Sequence, residues 1–174
     1  MAALRFPPEL LVKAQGSGLG VKLAIFDVDG VLTDGRIYIG EAGESFKAFA
    51  TLDGHGLKML QQAGITPVVI TGRDSPAVRR RVADLGLPHA VYGVKDKLAA
   101  ATPLLARLGA SWGEVAAMGD DWPDLPVLRR CALAAAPASP ARRPGRMPRC
   151  WPRPTTSRAR RPVLVPRASA ATCC

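Results

Sequence analysis

Short apolar segments that alternate with helix-like segments are the feature that most limits how this chain can fold. Each apolar segment is followed by glycine or polar residues, as is typical of buried strands. The apolar segments cover residues 22–27, 66–71, 89–93, 114–118 and 131–136, and helical periodicity covers residues 54–63, 74–85, 96–108 and 123–130. This alternation predicts βαβ units, and therefore an α/β protein with a Rossmann-like, mostly parallel sheet.

Residues 36–49 interrupt the alternation and predict a β-hairpin insertion. Two strand-like arms flank the turn sequence GEAG, which is a hairpin signal. The hairpin and one helix fill the interval between the first two strands. The interval between Lys97 and Asp120 is also too short for a separate domain. We therefore predict a core with a hairpin and no cap domain.

Polar side chains follow the predicted strands at the point where each strand ends. In parallel sheets the carboxyl ends of the strands meet at one edge, where ligands bind. The side chains expected there are Asp27, Asp29, Thr71, Arg73, Lys97, Asp120, Asp121 and Asp124. Carboxylates crowded in this way repel one another and are costly to bury, so a cation is expected among them.

The residue types at this edge predict phosphoryl transfer. Asp27, Asp29 and Asp120 offer oxygen ligands for a hard divalent cation, which predicts Mg²⁺. Asp27 can attack phosphorus and form an aspartyl-phosphate, while Asp29 acts as general acid and then as general base. Thr71 can donate a hydrogen bond to the phosphoryl group, and Lys97 can neutralise it and orient Asp27.

Asp121 and Asp124 allow two interpretations. Each can contact the site, and each can instead cap the short helix that follows it.

The motifs DVDGVLTD, ITGR, Lys97 and MGDDWPD, in this order, resemble the four motifs of the haloacid dehalogenase superfamily of phosphatases. The resemblance covers roughly residues 20–137. Within that superfamily, the segments DVDGVLTDGRIYIG and ITGRDSPAVRRRVADLG are similar to those of the 3-deoxy-D-manno-octulosonate (KDO) 8-phosphate phosphatases. This resemblance implies a capless homotetramer whose hairpins pack together. It also implies Mg²⁺-dependent hydrolysis of the 8-phosphate of an acidic eight-carbon sugar in lipopolysaccharide synthesis.

The same resemblance implies substrate contacts beyond the strand ends. They come from a loop after the hairpin and from basic residues near it. The implied substrate-binding residues are Asp29, Thr51, Leu52, Asp53, Gly54, Lys58, Arg73, Arg81 and Lys97. Ala50 departs from the Asn expected before this loop, and one substrate hydrogen bond is expected to be lost with it.

Residues 138–174 differ in composition from the rest of the chain. They contain nine arginines and no acidic residue, so they hold almost all of the net charge of +10. Pro, Arg and Ala dominate, without a helical or strand period. We predict a phosphatase core at residues 1–137 and a disordered tail at 138–174, with the last strand of the family's sheet missing. Our hypothesis is that the tail is an out-of-frame reading of a GC-rich gene.

Other classes of protein share some of these residues. A response-regulator receiver domain also combines Asp, Thr and Lys, but it places its acidic pair and its single phosphoacceptor in a different order. A nucleic-acid binder acting through the tail is disfavoured because few aromatic residues lie among the arginines. An acylneuraminate 9-phosphate phosphatase and an inactive remnant stay open.

Location and partners follow from the same features. No leader sequence is visible at the N-terminus and no apolar run reaches membrane-spanning length, so we expect a cytoplasmic protein. The expected partners are a sugar phosphate and further copies of the chain, with no membrane and no nucleic acid.

Overall fold

The computed structural model describes residues 20–137 and 162–165. The strands are β1 (Leu23–Phe26), β2 (Tyr38–Gly40), β3 (Gly43–Phe46), β4 (Thr66–Ile70), β5 (His89–Val91), β6 (Val115–Met118), β7 (Leu133–Pro137) and β8 (Pro162–Val165). The α-helices are α1 (Thr51–Gln62), α2 (Pro76–Asp84), α3 (Lys97–Arg107) and α4 (Leu125–Arg130). Two 3₁₀ turns cover Trp112–Glu114 and Trp122–Asp124.

Six strands form one sheet in the order β5-β4-β1-β6-β7-β8. The first five are parallel, and β1 lies between β4 and β6. The register sets Phe26, the last residue of β1, opposite Val69 of β4 and Met118 of β6. The residues that follow these three strands therefore emerge side by side, as the sequence predicts. The prediction of a Rossmann-like α/β fold is confirmed.

Helices cover both faces of the sheet, because successive side chains of a strand point to opposite faces. Helices α3 and α4 cover one face and α1 and α2 cover the other. The first core contains Leu23, Ile25, Val68, Ile70, Ala101, Leu104, Leu105, Val115, Ala117, Val127, Leu128 and Cys131. The second contains Val28, Leu57, Val69, Val78, Val82, Leu85 and Leu87. Burial of one such Val or Leu side chain contributes roughly 1.5–3 kcal/mol.

The hairpin predicted at residues 36–49 is present as a separate two-stranded sheet, β2 and β3. Tyr38 and Phe46 stack across it with ring centroids 4.3 Å apart. Its outer surface is apolar: Ile37, Ile39 and Phe46 are 45%, 69% and 54% exposed.

Helix α1 begins earlier than predicted. The sequence pattern predicts a helix from residue 54, with Thr51, Leu52 and Asp53 in a loop, but the helix begins at Thr51. The glycine at position 54 lies inside the helix because α2 packs close to it. A Cβ built there would lie 2.4 Å from an Arg81 guanidinium nitrogen.

Ser75 precedes α2, and no side-chain hydrogen bond caps the helix at that residue. The neighbouring Asp74 accepts two hydrogen bonds from Arg79, at 2.7 and 2.8 Å.

The prediction that the tail adds no strand is wrong for four residues. Pro162–Val165 pair antiparallel with β7, with Val165 opposite Ala134. The segment PVLV is short, apolar and β-branched at two positions, which suits a strand. Proline is tolerated because β8 lies at the edge of the sheet. The predicted disorder of the rest of the tail falls outside the described residues.

None of the helices at residues 20–137 is long and apolar enough to cross a membrane.

Candidate active site

Asp27 follows β1 directly and lies at the centre of the site. Its backbone N–H donates to the Met118 carbonyl at 3.1 Å, which ties the end of β1 to β6. The chain then turns at Gly30, which has φ +93°. A Cβ at this position would lie 2.0 Å from Asp120 Oδ2, so only glycine allows the turn to pack on that carboxylate.

Lys97 joins two carboxylates in the buried part of the site. It is the first residue of α3, and its Nζ lies 2.7 Å from Asp27 Oδ1 and 2.6 Å from Asp124 Oδ1. Asp96 caps the helix by accepting from the N–H groups of Leu98 and Ala99, both at 3.0 Å. The cap fixes where α3 begins, and thereby where the lysine lies.

Asp124 is held by both of its oxygens. Oδ1 faces Lys97, and Oδ2 accepts from the backbone N–H groups of Asp120 and Asp121, each at 3.1 Å. The capping interpretation of Asp121 is also correct, since its Oδ1 accepts from the Trp122 N–H at 2.8 Å. Asp124 therefore belongs to the site, while Asp121 shapes the turn beside it.

One group of residues has the chemistry of a cation site. Asp27, Asp120 and Asp124 each offer a carboxylate oxygen, and these oxygens lie within 4.8 Å of one another. An all-oxygen set of this kind suits a hard divalent cation. The close approach of Gly30 to Asp120 closes one side of the group. The residues present therefore fit a metal ion.

The electrostatics of this group also favour a bound cation. Burial and the neighbouring Asp124 charge raise the pKa of Asp27 to about 6, and Lys97 only partly opposes them. Burial alone would lower the pKa of Lys97, but the Asp27 and Asp124 carboxylates outweigh it and raise that pKa. The lysine thus stays charged, yet one cation faces three carboxylates.

Asp29 belongs to a different set of contacts. Its Oδ1 lies 2.5 Å from the Nζ of Lys47, and its Oδ2 lies 4.0 Å from Arg73 Nε. The Lys47 side chain is only 1% exposed and also lies 3.3 Å from Glu44. Glu44 accepts a hydrogen bond from Ser75, which is the largest single cause of its lowered pKa, and Lys47 and Arg73 lower that pKa further. The carboxylate of the predicted ligand Asp29 therefore contacts Lys47 of the hairpin and is not part of the group formed by Asp27, Asp120 and Asp124.

Thr71 and Arg73 lie where the sequence predicts, at the end of β4. Thr71 is 1% exposed, and its Oγ1 accepts from the Arg73 N–H at 3.4 Å. The Arg73 side chain is 45% exposed and 3.6 Å from Glu44. Its guanidinium is therefore available to an anion in solution.

The remaining predicted substrate residues lie on α1 and α2. Asp53 has a pKa raised by burial and lowered in part by Arg81. The Arg81 guanidinium lies 5.8 Å from the centre of the Phe49 ring. Leu52 is 80% exposed. The Lys58 Nζ lies 3.5 Å from a Cβ built at Gly86, beyond the end of α2. Thr51 and Gly54, both on α1, complete this set.

Ala50 is the residue that precedes α1, and no side chain caps that helix. An Asn at this position can accept a hydrogen bond from the first turn, and its replacement by Ala typically costs about 1 kcal/mol. The departure noted in the sequence therefore affects the helix as well as the predicted substrate contact.

Two residues of the hairpin, Glu44 and Lys47, were not among the predicted site residues. They lie on the arm GESFKAF, where a charged residue ordinarily faces solvent. A lysine buried to 1% exposure could not be foreseen there, because its partner Asp29 is 18 positions away in the chain.

Comparisons with known proteins agree with this fold, although no family model matches the chain. KDO 8-phosphate phosphatase KdsC of Salmonella typhimurium is 40% identical over 131 residues, which are 75% of this chain and 68% of that protein. The KDO 8-phosphate phosphatase of Moraxella catarrhalis, solved with magnesium, phosphate and KDO, is 42% identical with TM-score 0.65, over 71% of this chain and 68% of that one. A Legionella pneumophila structure described as a HAD superfamily (subfamily III A) hydrolase is 41% identical with TM-score 0.68, over 73% and 69%.

The fold is that of the haloacid dehalogenase (HAD) superfamily, as the motifs predict. The matches span about two thirds of the relatives' own length. At this identity and coverage, the chain belongs to the KDO 8-phosphate phosphatase family.

Proposed function

We propose that this protein hydrolyses KDO 8-phosphate to KDO and inorganic phosphate, with Mg²⁺ as its cofactor. The observation that supports this most directly is the buried Asp27–Lys97–Asp124 centre beside Asp120. Relatives in the family carry the name of this reaction, and the Moraxella relative was solved with magnesium, phosphate and KDO. The reaction belongs to lipopolysaccharide synthesis.

When bound, the cation would offset the repulsion between the phosphate ester and the carboxylates and would stabilise the charge that develops in the transition state. We assign Asp27 and Asp120 as its carboxylate ligands, because both oxygens of Asp124 already accept hydrogen bonds. Asp29, the third predicted ligand, is left out of this carboxylate set, because its Oδ1 accepts a hydrogen bond from Lys47 and its oxygens are not in the Asp27 group.

Asp27 is the nucleophile in this proposal. Lys97 holds Asp27 Oδ1 at 2.7 Å, which leaves Oδ2 to attack phosphorus. An Asp27–phosphorus bond forms as the bond from phosphorus to the sugar oxygen breaks. The buried Thr71 donates its hydroxyl hydrogen to the phosphoryl group, and the exposed Arg73 binds an outer anionic group of the substrate.

Asp29 completes the proton transfers. It gives a proton to the departing sugar oxygen, and it then takes a proton from the water that attacks the aspartyl-phosphate. That second attack breaks the Asp27–phosphorus bond and releases phosphate. Asp53, Gly54, Lys58 and Arg81, with Thr51 and Leu52, are kept as predicted contacts to the sugar.

The test is phosphate release from KDO 8-phosphate in the presence of Mg²⁺, and then with EDTA. We expect turnover that EDTA abolishes and that Asp27→Asn removes. Asp84→Asn is the matched control, since Asp84 forms only an exposed pair with Arg80. Turnover that persists in Asp27→Asn would contradict the assignment of the nucleophile. Preference for an acylneuraminate 9-phosphate in the same assay would replace the eight-carbon substrate with a nine-carbon one.

A homotetramer in the cytoplasm is part of the same proposal. The apolar outer side of the hairpin, with Ile37, Ile39 and Phe46 exposed, supports packing between copies of the chain. Light scattering of the purified protein measures its mass. Ile39→Asp is expected to dissociate the assembly, and a monomeric mass for the unsubstituted chain would contradict it.

A further inference from the structure

Lys47, which belongs to the hairpin, places a buried positive charge beside Asp29. Lys47 follows β3, its side chain is 1% exposed, and its Nζ lies 2.5 Å from Asp29 Oδ1. Lysine is almost never fully buried unless it is paired. Here a second carboxylate, that of Glu44, lies 3.3 Å away, and Ser75 holds Glu44 in turn.

These contacts give Asp29 two unequal oxygens. Oδ1 faces the buried ammonium, while Oδ2 lies 4.0 Å from the half-exposed Arg73. A proton for the sugar oxygen therefore has to travel through Oδ2. Lys47 itself is covered, so it does not offer its charge to a phosphate or a sugar carboxylate in solution.

We propose that Lys47 is a positioning residue, which holds Asp29 Oδ1 so that Oδ2 is aimed at the departing oxygen and later at the attacking water. The inference rests on the proposed function, because it assumes that Asp29 transfers these protons. It also makes the hairpin part of the catalytic apparatus, since Lys47 follows β3 and contacts Glu44 of β3, which accepts a hydrogen bond from Ser75 before α2.

The choice of leaving group distinguishes positioning from general structural support. A sugar alkoxide needs a proton as it departs, whereas p-nitrophenolate is a weak base and departs without one. General acid–base catalysis typically contributes about 10²–10⁴-fold. Lys47→Met should therefore lower kcat for KDO 8-phosphate about 100-fold, with KM changed less than about threefold. The pre-steady-state burst of p-nitrophenolate from p-nitrophenyl phosphate should keep a rate within about threefold of the unsubstituted protein.

Lys22→Met is the matched control. Lys22 also pairs with a carboxylate, Glu114 at 2.6 Å, but its side chain is 61% exposed. This variant should behave like the unsubstituted protein with both substrates. Equal losses for both substrates in Lys47→Met, or a change confined to KM, would overturn the positioning role.

A double-substitution cycle provides the second test. If Lys47 acts through Asp29, then Lys47→Met should lower turnover little further in an Asp29→Asn background. Additive losses would overturn the proposal. Should Lys47→Met fail to fold, Lys47→Arg is used in the same cycle, because it retains the charge but displaces the Asp29 contact.

The experiments distinguish a wrong substrate from a wrong role for Lys47. If the unsubstituted protein cleaves p-nitrophenyl phosphate but not KDO 8-phosphate, the proposed substrate is wrong. The cycle is then measured on steady-state p-nitrophenyl phosphate turnover, where Asp29 still has to activate water. Non-additivity there would support the positioning role, and additivity would overturn it.

Discussion

Lys97 and Lys47 both lie among carboxylates near the same edge of the sheet, but the net charges of their two clusters differ. Lys97 contacts Asp27 and Asp124, and Asp120 is close to both, so that one cation faces three carboxylates. Lys47 shares its surroundings with one further cation and two carboxylates, namely Arg73, Asp29 and Glu44. The first cluster has an excess of negative charge, while the second is neutral.

This difference in net charge indicates that the Lys97 cluster binds a cation, whereas the Lys47 cluster positions Asp29. In the Lys97 cluster the pKa of Asp27 is raised to about 6, because burial and Asp124 oppose ionisation more than Lys97 favours it. A divalent cation would remove that penalty. The Lys47 cluster needs no added ion, since its carboxylates already face cations. Two aspartates only two positions apart in DVD thus serve different purposes because their side chains enter different clusters.

The largest expected effect is that of Asp27→Asn. We expect at least a 10³-fold loss of turnover, because the nucleophile is removed. The same change should stabilise the metal-free protein above pH 6, since Asp27 is ionised there against a raised pKa. A shift from 3.8 to about 6 corresponds to at most about 3 kcal/mol.

The pH dependence of unfolding checks the sign of this effect. Between pH 3.8 and about 6 the folded state holds the Asp27 proton more tightly than the unfolded state. The contribution of Asp27 to stability therefore falls as pH rises through this range and is constant above it. Asn lacks this dependence, so the variant's advantage in urea unfolding should grow from pH 4 to 6. A variant that is less stable than the parent at pH 8 would contradict the charge imbalance.

Lys97→Met tests the imbalance from the other side. Its removal leaves Asp27 and Asp124 buried without their cation, and breaking a buried pair in this way costs about 3–5 kcal/mol. Lys47→Met should cost less, because Arg73 remains beside Asp29 and Glu44. Denaturant unfolding of both variants at pH 8 measures the difference. Equal losses would mean that the two clusters are not distinct.

Added Mg²⁺ should stabilise only the Lys97 cluster. At a concentration 100-fold above Kd, we expect about 2.7 kcal/mol of stabilisation. The gain should be greater at pH 8 than at pH 5, because protonation of Asp27 competes with the cation below about pH 6. Asp120→Asn should reduce the Mg²⁺-induced shift in Tm, whereas Asp29→Asn should leave most of it. A shift lost in Asp29→Asn would return the carboxylate of Asp29 to the ligand set.

The sequence predicts the Lys97 cluster well and the Lys47 cluster poorly. Asp27, Lys97 and Asp120 each follow or begin a regular element, and the parallel register alone brings strand ends together. Lys47 and Glu44 lie on a hairpin whose orientation is set by contacts between distant residues, which no periodicity records. Strand β8 was missed for a similar reason, because four residues in an arginine-rich segment become a strand only when β7 offers an unpaired edge.

Arg73→Ala is expected to have the smallest effect on stability. Arg73 contributes to the neutral cluster, but its side chain is 45% exposed and lies 4.0 Å from Asp29 and 3.6 Å from Glu44. Exposed pairs of this kind contribute about 0–1 kcal/mol. The free energy of unfolding of the variant should therefore lie within about 1 kcal/mol of the parent's, while KM for KDO 8-phosphate rises about tenfold with loss of an anion contact.

Arg80→Ala, which breaks the exposed pair with Asp84, is the control for both measurements. A stability loss comparable to that of Lys47→Met would show that the neutral cluster depends on both of its cations, and that Arg73 helps hold Asp29 in place.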